Sequence, residues 1–262
     1  WKNSQKKFKK FLSHFSNQSQ YMIDKKTNQD IEDFNFNPFY LPTDGLLGLI
    51  SNFKNSLNYN RGKQDFSTTY SYSLNKSKNT LSFGYIENNL ESNQLNFIHK
   101  LNTNWLLEIN STLENKESLS ENFDSKNYNL DQFKINPKMT YLFNESNRLN
   151  FYYQYSTNEN TIGNLESLKQ QKIGISCSIS NAEKINFSSE FNYFSNSFEG
   201  NPNSIIGYIV MEGLQVGSNY TWSLTAQKKL TKFLDLNLSY FGRKSENSNS
   251  IHNGTIQLRA IF

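Results

Sequence analysis

From about Gly48 onward, apolar side chains recur at every second position. The first run carries Phe53, Leu57 and Tyr59 on one face. It is followed by Phe66, Tyr70, Tyr72 and Leu74; then Leu81, Phe83 and Tyr85; then Leu95, Phe97 and Leu101; then Trp105, Leu107, Ile109 and Leu113. The same spacing continues in Phe133–Phe143, Leu149–Tyr155, Ile173–Ile179, Ile185–Tyr193, Tyr220–Ala226 and Leu234–Tyr240. It ends in Gly254, Ile256, Leu258, Ala260 and Phe262, with Thr255, Gln257 and Arg259 between them. A period of two is that of a strand with one oily and one wet face. The spacing predicts about twelve antiparallel strands.

Connections between the runs alternate in length. Short polar turns are expected at 75–78, 102–104, 144–147, 181–184 and 229–232, and longer links at 115–130, 157–170, 195–217 and 244–250. The links at 61–64 and 87–93 are shorter members of the second class. Membrane barrels put short turns on the periplasmic side and long loops outside. On that parity Tyr59, Tyr85, Tyr155, Tyr193 and Tyr240 close the oily faces of outward-running strands. Tyrosine has an apolar ring and a hydroxyl that seeks water, so such a set forms an aromatic girdle at headgroup level. The expected fold class is all-β, a transmembrane antiparallel up-and-down β-barrel over residues 47–262.

Composition fits that reading. Only 35% of the 262 residues are hydrophobic, yet 15% are aromatic. Disordered chains are equally polar but poor in aromatics. Alternating strands average an apolar and a polar face, which hides the membrane signal. No run approaches the roughly 20 apolar residues of a transmembrane helix. The net charge of +4 is too weak to argue for nucleic acid, and no nucleic-acid partner is expected.

Residues 1–46 read differently, as an N-terminal extension or linker, or the remnant of an upstream region. Phe8, Phe11, Leu12 and Phe15 are at helical spacing among lysines, and Pro38 and Pro42 mark a linker. The start at Trp1 is that expected of a mature form or of part of something longer. Other departures are Pro137 inside a strand, where a bulge is expected, and the doubly apolar segment Ile205–Met211 inside a loop. That segment has three readings: an extension of two strands above the membrane, a fold into the lumen, or a contact with a partner protein.

Little chemistry is visible. The three histidines, His14, His99 and His252, show no metal-ligand spacing, and the single Cys177 lies on an oily face. No nucleophile elbow, phosphate loop or calcium loop is present. No enzymatic activity, cofactor or metal is expected; a barrel-borne hydrolase using His99 or His252 with nearby Ser and Asn is a distant alternative. Opposite the oily faces stand Lys54, Lys100, Glu108, Glu114, Lys134, Lys138, Lys172, Glu190, Asp235 and Arg259. These are candidates to line a lumen of mixed charge, as a pore lining or as a plug of cross-barrel salt bridges.

The alternating runs and the ending Gln257-Leu-Arg-Ala-Ile-Phe262 resemble the C-terminal barrel region of large outer-membrane proteins of Bacteroidota. Gly213–Trp222 and Tyr240–Glu246 have the same look. The resemblance implies the outer membrane of a Gram-negative cell and insertion by the barrel assembly machinery, with Leu258, Ala260 and Phe262 as the C-terminal signal. It carries no catalytic residues. The expected function is that of a membrane anchor or scaffold of a larger outer-membrane assembly, with a channel or transporter for small solutes as the alternative. Expected partners are outer-membrane lipids and proteins met through loops 115–130 and 195–217.

Overall fold

The computed structural model describes residues 9–28, 45–62, 65–82, 84–181, 185–231 and 233–260. Among these residues twelve strands form one sheet in strict sequence order, every neighbour antiparallel. They are β1 (Phe15–Thr27), β2 (Leu46–Tyr59), β3 (Phe66–Leu81), β4 (Gly84–Lys100), β5 (Trp105–Ser120) and β6 (Tyr128–Leu142). Then come β7 (Asn147–Asn160), β8 (Ser167–Asn181), β9 (Ile185–Glu199), β10 (Gly217–Thr231), β11 (Leu234–Ser245) and β12 (Ile251–Ala260). One short helix, α1 (Ile205–Val210), lies between β9 and β10. This is the up-and-down antiparallel arrangement that the twofold period predicts.

The strand number agrees with expectation, but two of the strands differ. The runs 81–85 and 95–101 are not two strands: Leu81 ends β3, Tyr85, Leu95 and Phe97 all belong to β4, and the missing member is made up by β1, inside the segment read as an extension. Residues 75–78 and 87–93 are paired strand rather than turn and link. They look like loop because both their faces are polar. A strand needs only about 10 residues to cross the hydrocarbon, and β4 has 17. The excess projects into water, where alternation serves no purpose. The actual reversal comes between Leu81, which ends β3, and Gly84, which opens β4 with a φ of +112° that only glycine adopts readily.

Splitting that hairpin also inverted the expected direction of β2 and β3. β2, β4, β6, β8 and β10 end, and β3, β5, β7, β9 and β11 begin, at one end of the sheet. β1, β3, β5, β7, β9 and β11 end, and the next strand of each begins, at the other. The link at 61–64 therefore belongs with the short turns. Within the expected loop 115–130, residues 115–120 and 128–130 are strand.

At Pro137 no residue is inserted. The ladder to β5 runs through Ile109↔Pro137, while that to β7 passes from Ile135↔Tyr155 to Lys138↔Tyr152. Pairing lapses where the missing N–H would have donated, and register is kept. The expected bulge is thus replaced by a gap in one ladder.

Burial is inverted relative to a soluble domain. Register puts Ser92, Thr140, Ser156, Asn158, Gln170, Asn192, Asn196 and Asn219 on one face, and all are buried. The opposite face carries exposed Leu95, Phe151, Ile173, Ile175, Phe191, Ile256 and Leu258. The polar face is concave. Tyr152 on β7 reaches across β8 to bond Glu190 and Asn192 on β9, its ring lying on Gly174.

The terminal strand was expected to close on 51–59, but β2 already has β1 on one edge and β3 on the other. Among the described residues no ladder joins β12 to β1. All ten residues of β12 are exposed. Phe8, Pro38, Pro42, Phe83 and Phe262 lie outside the described residues.

Candidate functional site: a polar concave wall between two aromatic belts

On the convex face, rings gather at both ends of the sheet. At the short-turn end Phe15, Tyr59, Phe66 and Phe97 touch in succession, with centroids 4.9, 5.9 and 5.3 Å apart. Trp105, Tyr141 and Phe143 continue this belt at 4.9 and 4.8 Å. His99 joins it, its Nδ1 2.7 Å from the Asp65 carbonyl oxygen. Toward the other end Tyr193 meets Tyr220 at 5.3 Å, and Trp222, His252 and Tyr240 form a second group. The Tyr240 hydroxyl and His252 Nδ1 are 2.8 Å apart.

Two interfacial belts on one face, with aliphatic side chains between them, are what a membrane-spanning strand wall requires. Of the five expected girdle tyrosines, Tyr155, Tyr193 and Tyr240 stand toward the long-connection end, whereas Tyr85 lies beyond them at the tip of the projecting β3–β4 hairpin, under Lys78. Tyr59 stands at the other end, because β2 runs opposite to the expected direction. The short-turn belt was missed. Its members sit at strand beginnings and ends alike, and only the pairing brings them into one row.

The concave face is built from amides and hydroxyls. Thr69 donates to Asn58 (2.9 Å), and Asn96 donates to Asn110 on the next strand. Thr140, Asn150 and Ser176 form a second chain at 2.8 and 2.9 Å, and Gln170 donates to Asn196 at 3.0 Å. Buried side-chain polar groups need such partners, since each one left unmade costs about 1–3 kcal/mol.

Register places Lys54, Lys100, Glu108, Lys134, Lys138, Glu190, Asp235 and Arg259 on this same face. Glu108 and Lys138 form an ion pair. Glu190 is 3.9 Å from Lys172 and also accepts from Tyr152 (2.6 Å) and Asn192 (2.9 Å). Asp235 faces Arg259 across β11 and β12, but they are not in ion-pair contact. His99 and His252 lie on the convex face near opposite ends of the sheet, so the structure does not bring them together. No cluster of metal-ligating side chains occurs among the described residues.

The 200–216 connection folds over the concave face. Ile206 packs on Tyr128 and Leu130 of β6, with Ile209 and Val210 beside them. Met211 is buried as well. Asn219, fully buried, donates to the Gln215 and Gly217 carbonyls (2.7 and 3.1 Å) and accepts from the Gln215 N–H (3.1 Å) and the Ser245 hydroxyl (2.6 Å). Of the three readings of Ile205–Met211, the inward fold is the one observed. Ile205 and Tyr208 remain exposed.

No family model and no curated protein matches the chain. Solved structures do. The siderophore receptor PirA from Acinetobacter baumannii superposes with a TM-score of 0.60 at 9% identity, over 95% of this chain and 41% of that one. The fold is that of an outer-membrane β-barrel. This chain thus spans about two fifths of the receptor's length. The in-vitro folded OmpT of Vibrio cholerae, an outer membrane protein, matches at a TM-score of 0.43 and 7% identity, over 88% of this chain and 85% of that one. The NanC porin matches at 0.40 and 12%, over 80% and 94%.

Proposed function

We propose that the twelve strands are a membrane-embedded sector of an outer-membrane barrel wall, and that this sector anchors a larger outer-membrane assembly. One observation carries the reading: among the described residues, a sheet with inverted burial, girdled at both ends, has no strand laddered to the outer edge of β1 or of β12. Backbone N–H and C=O groups left open in hydrocarbon cost several kcal/mol each. Further strands beyond β1 and β12 satisfy those edges. The match of nearly the whole chain to 41% of a larger barrel supports the curvature this requires.

In this proposal the convex face contacts outer-membrane lipid. The barrel assembly machinery inserts the chain, with Leu258 and Ala260 on the lipid side, as the resemblance to large Bacteroidota barrels implies. Two experiments test it. Fractionation should recover the intact protein with outer membranes and with heat-modified gel mobility; a soluble monomer refutes membrane embedding. Single cysteines at Gln18 and Gln257, in a Cys177→Ser background, should not cross-link within one chain. Efficient cross-linking there means that β12 closes on β1 and that no further strands are needed.

A channel for small solutes is the second reading. Its support is the polar concave wall, whose Glu108–Lys138 and Lys172–Glu190 pairs cancel charge and leave little ion preference. Steady conductance in planar bilayers would favour it over the anchor.

A further inference from the structure

Between β8–β11 and the inward-folded connection lies a cavity of about 290 Å³. That is near the lower end of the ~300–1,000 Å³ of ligand pockets, so its occupant is small. Four charged side chains line it: Lys172, Glu190, Glu212 and Arg243. Lys172 and Glu190 lie 3.9 Å apart and compensate each other. Tyr152 and Asn192 hold the same carboxylate further. The other two have no such compensation. Arg243 spends one N–H on the Gly213 carbonyl at 3.3 Å, and a guanidinium has five donors. The Glu212 carboxylate has no hydrogen-bond or ion-pair partner among the described residues.

Glu212 also breaks two local rules. It follows the helix C-cap Met211 with φ +54°, a position that favours glycine, although Gly213 is next to it. It puts a negative charge at the carboxyl end of a helix, where cations are favoured. Glycine would turn there with less strain. Glu212 is exposed at the cavity, so water can serve its carboxylate there, but a carboxylate kept at a strained position beside a cavity is the kind of departure that functional positions show. Phe241, on the polar face of β11, adds an exposed ring to the same cavity.

We propose that this cavity binds a small zwitterion bearing an apolar side group, of amino-acid or dipeptide size. Arg243 takes the carboxylate, Glu212 the ammonium group, and the side group lies against Phe241. The proposal rests on the concave face being the lumen of a membrane barrel.

The test is titration calorimetry on the intact protein in detergent, with alanyl-phenylalanine and its N-acetyl and C-amide derivatives. The unmodified dipeptide should bind saturably, and each blocked form at least about tenfold more weakly, through loss of one charge-assisted contact. Glu212→Gln should abolish discrimination against the N-acetyl form only, and Arg243→Gln against the C-amide only. Absence of saturable binding in a preparation with heat-modified mobility overturns the proposal. So does equal binding of the three compounds, or an unchanged pattern in both variants. A preparation without that mobility refutes the barrel reading, and the proposal falls with it.

Discussion

Ile175 provides a sharp test of which face meets lipid. It sits near the middle of β8, in a row with Phe151 on β7 and Phe191 on β9. It is 40% exposed in the structure. In a water-soluble sheet, lysine at so exposed a position changes stability by no more than about 0.5 kcal/mol. At the midplane of a membrane barrel, lysine on the lipid face costs about 2–4 kcal/mol. That is roughly a 30- to 1,000-fold shift in the folding equilibrium at about 1.4 kcal/mol per decade.

Ser176, the next residue, is the internal control. It faces the lumen opposite Glu190 and accepts a bond from Asn150 at 2.9 Å. Ser176→Lys loses that bond, worth about 1 kcal/mol, and gains a neighbouring carboxylate, so its net effect should stay within about 1 kcal/mol. Both variants would be unfolded in guanidinium chloride from lipid vesicles and followed by tryptophan fluorescence. Equal, small effects at the two positions would refute the assignment of the faces.

Other outcomes follow from the concave side. Asn219→Ala removes four hydrogen bonds that pin the inward connection. It should destabilise that region by roughly 2–3 kcal/mol, seen as faster amide exchange at 205–216 with the β4–β5 ladder unchanged. Gly174→Ala drives a methyl group into the Tyr152 ring. It should cost roughly 1–3 kcal/mol, and a double-mutant cycle with Tyr152→Ala should remove most of that cost.

The alternation itself was legible because each strand between Trp105 and Tyr240 keeps several apolar side chains at every second position of one face. The face assignment of Lys54, Glu108, Lys138 and Glu190 needed only parity. Three things were hidden. β1 begins at Phe15, but Ser16-Asn-Gln-Ser-Gln20 gives it no clear oily face, and only pairing with β2 places it. The protruding parts of β3 and β4 are polar on both sides and look like loop. The inward fold of 200–216 depends on Asn219, Tyr128 and Leu130, residues far apart in sequence whose common face is set by register. Asn219 could have been flagged only by its conflict with a strand preference, which is a weak signal.

The most direct measurement is a scan of spin labels along β7, residues 148–156, in a Cys177→Ser background in lipid vesicles. Collision with oxygen, which concentrates in lipid, would be compared with collision with a water-soluble nickel chelate. The account predicts a period of two, with oxygen dominant at Leu149, Phe151, Tyr153 and Tyr155, and nickel, where it has access, at Asn150, Tyr152 and Gln154. A reversed phase, or equal nickel access on both faces, would contradict a wall that turns its oily side chains to the membrane.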